Sequence, residues 1–146
     1  MLLELPIVLQ SEAYDCGRAA FLCVMRYHGI KVPQVDIPQP CSIDGTDPRI
    51  LEAIFRRHLL VASGEMTVAD LRFHASQNRP VLLLIEVGLI GHWVVSAGVA
   101  RRKVRVMDPA SGIRGIPESE LDSHWRDICR DGSHYRRWGI AVGRGQ

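Results

Sequence analysis

Apolar residues in the first part of the chain recur at helical spacing. Cys16, Ala19, Ala20, Leu22, Cys23, Val24 and Tyr27 lie three or four positions apart, which predicts a helix over 16–28 with Asp15 at its N-cap and Gly29 as its stop. Before it, residues 5–9 predict a short lead-in strand. The stretch 32–48 is different: four prolines and Gly45 forbid a regular element of any length and predict an irregular surface connection. Asp47-Pro48 has the form of an N-cap followed by proline at the first helical position, opening a helix through Ile50, Leu51, Ile54 and Phe55 to about His58. A short strand over 59–62 follows. Thr67-Val68-Ala69-Asp70 has the spacing of a capping box and predicts a helix that ends near Asn78, ahead of Pro80.

Beyond Pro80 the helical period disappears. Segments 81–87, 92–99 and 104–107 are β-branched and apolar and predict buried strands, with Ala100-Arg101-Arg102 as a tight connection between the second and third. A last helix over 119–129 and a closing strand over 139–142 complete the chain. Helices first and an antiparallel sheet second make this an α+β pattern. Residues 81–100 are apolar for about the length of a membrane span. Glu86 and His92 lie inside that run with Gly88 and Gly91 between them, and an acidic side chain near a bilayer centre costs roughly 2.5–3.5 kcal/mol on insertion scales, so strands are the better reading.

At 146 residues the chain fits one domain, 1–146, with a core that needs neither metal nor disulfide. A formal charge of +2 with acids interleaved among Arg101-Arg102-Lys103 and Arg136-Arg137 argues against a nucleic-acid track. Cys16, Cys23, Cys41 and Cys129 are irregularly spaced, with no Cys-x-x-Cys pair, which argues against a zinc site; no metal or other cofactor is expected. Residues 1–9 carry Glu4 and Pro6 and lack the basic and apolar regions of a secretory signal, so a reducing cytoplasm is the expected location.

Against this background one stretch, Gln10 to Gly17, carries candidate chemistry. Cys16 opens a helix, where free backbone N–H groups and the positive end of the macrodipole favour thiolate over thiol. Cys23, mid-helix among apolar neighbours, is expected only to pack. If 92–99 and 104–108 form a hairpin turning near residue 100 or 101, residues whose numbers sum to about 200–202 face one another, and His92 meets Asp108. Thiol catalysis needs a thiolate, a histidine that shuttles a proton and a third group that holds its tautomer. Cys16, His92 and Asp108 fill those roles in that order. The other histidines are weaker candidates: His28 and His58 close helices, His74 is mid-helix, and His124 and His134 lie in the basic tail.

These motifs, Gln10 with Asp15-Cys16-Gly17, Gly91-His92-Trp93-Val94-Val95 and Asp108-Pro109-Ala110-Ser111-Gly112, resemble those of the C39 family of papain-like cysteine peptidases, the bacteriocin-processing or double-glycine leader peptidases. The resemblance implies a papain-like fold, with N-terminal helices packed on a C-terminal antiparallel sheet. It also implies Cys16 as nucleophile, His92 as general base and acid, Asp108 as orienting residue and Gln10 as oxyanion donor. The substrate would be a small peptide with a leader removed after Gly-Gly. Family members often form part of peptide-exporting ABC transporters; this sequence shows no membrane span and no phosphate loop, so the resemblance implies either a free-standing member, with a separate peptide-exporting transporter as a candidate partner, or an excised domain. Arg18 stands where the family usually has a small residue or proline. Two alternatives share the site or the fold: a thiol acyltransferase or amidase of transglutaminase type, which passes through the same acyl-enzyme, and a non-catalytic peptide-docking domain. Trp93, beside His92, either narrows the cleft for glycine or fills the core.

Overall fold

The structure, a computed structural model, describes residues 1–12, 14–38, 46–88, 90–128 and 132–145. Helix α1 (Cys16–Tyr27) takes the predicted stripe, burying Cys16, Ala19, Ala20, Cys23 and Val24. It ends because Gly29 adopts φ +71°, which lets its N–H donate to Arg26 O at 3.0 Å and the Ile30 N–H to Met25 O at 2.9 Å, the paired bonds of a Schellman close. A 3₁₀ turn (Gln34–Asp36) follows. The expected irregular stretch also includes residues 39–45, among them Cys41, which lie outside the described residues. Helix α2 (Pro48–Arg56) begins as its sequence predicts, with Asp47 Oδ1 accepting from the Arg49 N–H at 2.8 Å. Strand β1 (Leu60–Glu65) runs beyond the apolar 59–62 segment because its whole length pairs with the final strand. Helix α3 (Val68–Ser76) carries both halves of the Thr67–Asp70 capping box.

The remaining elements are β2 (Val81–Val87), β3 (Ile90–Ala100), β4 (Lys103–Asp108), β5 (Gly112–Pro117), α4 (Glu118–His124), β6 (Arg126–Ile128), β7 (His134–Arg136) and β8 (Trp138–Gly143). Six strands form one antiparallel sheet in the order β1-β8-β2-β3-β4-β5, and β6 pairs with β7. The sheet is covered on both sides. Leu82, Leu84, Val95 and Ile140 pack with Phe21, Val24, Leu51 and Phe55 of α1 and α2, whereas Leu83, Ile85, Val94 and Val106 pack with Leu71, Leu121 and Trp125. Burial on both faces explains the unbroken apolar run over β2, where alternation would otherwise be expected. No helix among the described residues is long and apolar enough to cross a membrane.

Two sequence expectations are corrected, and one strand was not expected at all. Residues 5–9 join no ladder; the N-terminal arm forms no regular element and is tied down by bonds from the Leu3 N–H to Ala97 O and from the Gln10 N–H to Pro109 O, each at 2.8 Å. The helix expected over 119–129 stops at His124. Trp125 is buried, its indole N–H donates to Trp138 O at 2.9 Å and its carbonyl accepts from the Arg137 N–H, so tertiary bonds pull the chain out of the helix into β6. Cys129 lies outside the described residues. Strand β5 was hidden by Gly112, Gly115 and Pro117, residues that punctuate rather than propagate strands.

Candidate active site

The β3–β4 hairpin brings His92 to Asp108 by a route that counting alone does not supply. Arg101 and Arg102 both take left-handed conformations, φ +53° and +63°, giving the tight turn that pairs Ala100 with Lys103 and Val99 with Val104. Extended unchanged, that register would set Asp108 opposite Val95, on the other side of the ladder from His92. One extra residue, Ala97, intervenes between the pairs Gly98↔Arg105 and Ser96↔Val106. This bulge reverses the parity of every residue beyond it, so Asp108 falls opposite Val94 and becomes the diagonal, same-side neighbour of His92. The core records the same reversal: Trp93, Val95 and Ala97 belong to one cluster, but Val99 to the other. Gly98 makes the bulge possible. Its φ is +120°, and a Cβ there would stand 2.8 Å from the Met1 carbonyl oxygen and 3.0 Å from the Ala75 Cβ. The expected pairing is therefore found, diagonal instead of directly opposed.

His92 Nε2 donates to Asp108 Oδ1 at 2.7 Å. The carboxylate has two more donors: the Ala110 N–H at 2.9 Å on Oδ1 and Arg114 Nε at 2.9 Å on Oδ2. Burial alone would push the Asp108 carboxyl up, but the His92 bond, with Ala110 and Arg114 behind it, holds it down at about 2. For His92, burial works to push the imidazole down and is outweighed by the bonds to Asp108 and Cys16, which hold it up at about 9. With Nε2 on Asp108, Nδ1 is the ring nitrogen left for the thiol.

Cys16 occupies the first position of α1, where the structure shows no side-chain cap. Asp15 stands at the N-cap position as expected, yet at φ −99°, ψ 14° it lacks the extended backbone from which a cap reaches forward. Its carboxylate instead accepts from Ser11 Oγ at 2.8 Å and pairs with Arg18 at 3.6 Å. Among the described residues no side chain caps the first-turn N–H groups beside Cys16. The Trp93 backbone N–H also points at Cys16 Sγ, 3.5 Å away. Gly17 has to be glycine, since a Cβ would stand 2.7 Å from Thr46 Oγ1 and 2.8 Å from Thr46 Cβ.

The structure brings Cys16, His92 and Asp108 together and anchors Gln10 at the same end of the sheet, through its backbone bond to Pro109. Gln10 Oε1 is buried with no partner among the described residues. Of the two readings for Trp93, the structure bears out the core one: the side chain is 2% exposed and its indole N–H donates to Thr46 O at 3.0 Å. Cys23 packs as expected, and burial pushes its thiol up to about 12 against the opposing pull of Arg26. His28 is buried against Val142 O, His58 pairs with Asp36, and His74 accepts from Arg79 Nε, so each has its own partner. Thr46 and Arg114 are the site neighbours that the sequence reading does not include. Thr46 is reached only through tertiary contact, but Arg114 was within reach of counting: the turn after Asp108 pairs it with Gly112, which makes Arg114 its diagonal neighbour.

Comparison with known proteins gives a consistent result. Residues 4–129 match the profile of the Peptidase C39 family. The fold resembles that of a double glycine motif protease from an AMS/PCAT transporter, in complex with the leader peptide, with a TM-score of 0.76 and 22% identity over 99% of this chain and 94% of that one. It also resembles the peptidase domain of Streptococcus ComA, a bi-functional ABC transporter of a quorum-sensing pathway, with a TM-score of 0.73 and 14% identity over 98% and 99% of the two chains. In sequence, an uncharacterized protein of Methanothermobacter thermautotrophicus is 27% identical over 109 residues, 73% of this chain and 72% of that protein. The solved structures share the papain-like arrangement of helices on an antiparallel sheet expected from the sequence.

Proposed function

The chain belongs to the Peptidase C39 family, and on that premise we propose that residues 1–146 act as one cysteine peptidase domain that removes a leader from a small peptide after Gly-Gly. The observation that carries the reading is the His92–Asp108 bond at the mouth of an uncapped helix that begins with Cys16. Cys16 Sγ attacks the scissile carbonyl carbon, and His92, having taken the thiol proton, gives it to the leaving amine as the C–N bond breaks. Water, deprotonated by the same imidazole, then hydrolyses the thioester and restores the thiol. Asp108 holds the imidazole in its tautomer and stabilises the imidazolium. The oxyanion is received by the Cys16 backbone N–H and the Gln10 amide. A half-turn of that amide sets its NH₂ where Oε1 now lies buried and unpartnered.

The glycine preference and the leader are supported by the likeness to a double glycine motif protease with leader peptide bound. That likeness also supports a transporter as partner; a cytoplasmic place of action is part of the proposal and rests on the sequence alone. A docking domain would have no use for a hydrogen-bonded His–Asp pair beside a helix-terminal cysteine. The test is to incubate the protein with a leader peptide ending in Gly-Gly, and with its Ala-Leu variant, and to read the products by mass spectrometry. Cleavage after Gly-Gly with discrimination beyond roughly 200-fold is expected, since a single methylene in a pocket gives only about 10–200-fold. Comparable cleavage of both peptides would remove the double-glycine preference, and incorporation of an added amine in place of hydrolysis would move the protein to the acyltransferases.

A further inference from the structure

Three adjacent strands each contribute one residue to a chain of hydrogen bonds: His92 on β3, Asp108 on β4 and Arg114 on β5. The two links have the same geometry. His92 is the diagonal neighbour of Asp108 across the bulged β3–β4 ladder, and Arg114 is its diagonal neighbour across β4–β5, where Val106 pairs with Arg114 and Asp108 with Gly112. The carboxylate oxygens are divided between them, with Oδ1 on His92 Nε2 and the Ala110 N–H, and Oδ2 on Arg114 Nε. We propose that Arg114 is a positioning residue for the His92–Asp108 pair: by pinning Oδ2 it prevents rotation of the carboxylate and keeps Oδ1 aimed at the imidazole. The proposal rests on the cysteine-peptidase reading of the site.

Burial and competition support it. Asp108 is 4% exposed, so without Arg114 its Oδ2 would be a buried charged acceptor lacking a partner among the described residues, and turning the group would be the direct way to satisfy it. Arg114 itself has other acids within its surroundings. It lines a cavity of about 180 Å³ together with Glu86 of β2 and Glu120 and His124 of α4. Glu86 is approached by Arg126 at 4.0 Å, whereas Arg114 bonds Asp108 at 2.9 Å. The guanidinium suits this task better than an ammonium would, because the Nε–H direction is fixed by the plane of the group.

The experiment compares wild type, Arg114→Gln and Arg114→Lys by kcat, KM and the downfield proton NMR signal of His92 Nε2–H, assigned through its loss in His92→Ala. Near pH 6 Arg114→Gln should lower kcat by about tenfold or more at unchanged KM. The Nε2–H signal should move upfield or broaden away, while Arg114→Lys, which keeps the charge, recovers part of both. A purely structural Arg114 would lower the melting temperature without moving the signal, and an unmoved signal with unchanged kcat overturns the proposal. If Arg114→Gln fails to fold, Arg114→Lys carries the test, and full kcat with a wild-type signal in that variant is then the overturning result. The NMR signal needs no substrate. A wild type that cleaves no peptide while Arg114→Gln still moves the His92 signal would sink the peptidase reading and leave the positioning intact.

Discussion

Asp108→Asn tests the electrostatics of the site directly. His92 is held up at about 9 from an ordinary 6.5, although burial pulls the other way. That rise is worth roughly 3 kcal/mol in favour of the imidazolium, shared between the Asp108 carboxylate and the Cys16 sulfur. The imidazolium is the acid that protonates the leaving amine, so activity should fall as pH rises through about 9 in the wild type. Asparagine keeps the shape and removes the charge. The alkaline limb of kcat/KM should then move down by roughly 1–3 pH units, the usual effect of one opposite charge at contact. Stability should follow with a defined sign. A raised histidine contributes stability that is fully present below 6.5 and lost as pH rises through about 9; a depressed carboxylate contributes stability present above 3.8 and lost as pH falls through about 2. The melting-temperature deficit of Asp108→Asn should therefore be largest between 3.8 and 6.5 and shrink toward pH 9. An alkaline limb that stays in place, or a deficit that grows above pH 9, would refute the assignment of Asp108 as the anion that holds the imidazolium.

Three further outcomes are expected. Gln10→Ala should reduce kcat by roughly 10²–10³ and leave Cys16 alkylation nearly unchanged, because an oxyanion donor acts on the transition state; steady-state kinetics beside a labelling time course decides it. Cys16 is 3% exposed and Cys23 0%, so access alone predicts equally slow labelling, yet iodoacetamide followed by peptide mapping should find Cys16 modified and Cys23 untouched until denaturant is added. Gly98→Ala should cost about 1–3 kcal/mol in denaturant unfolding, from strain at φ +120° and the 2.8 Å approach to the Met1 carbonyl. It should also lower kcat through the bulge, and a variant stable and active as wild type would show that the bulge does not depend on glycine.

Sequence alone determined what depends on neighbours a few positions apart. The stripe of α1 and its Gly29 close, the Asp47-Pro48 start of α2, the Thr67–Asp70 box of α3 and the bounds of β2 are all local hydrogen bonding or local periodicity, and each is found where the residues predict it. The same holds for Cys16 at a helix start, whereas the hairpin expected to turn near residue 100 or 101 turns at Arg101 and Arg102, so that His92 reaches Asp108 only with the help of the bulge. Only the tertiary structure decided the rest. Trp125 leaves the predicted helix because a buried indole needs a bond partner, and finds it in Trp138 thirteen residues on. Asp15 sits at the N-cap yet spends its carboxylate on Ser11 and Arg18, a choice made by backbone angles that no residue type encodes. Most telling is Ala97. Its bulge changes which side of the ladder Asp108 occupies, and nothing in the apolar run 93–99 marks it, because a strand buried on both faces has no polar alternation to reveal a slip of one residue.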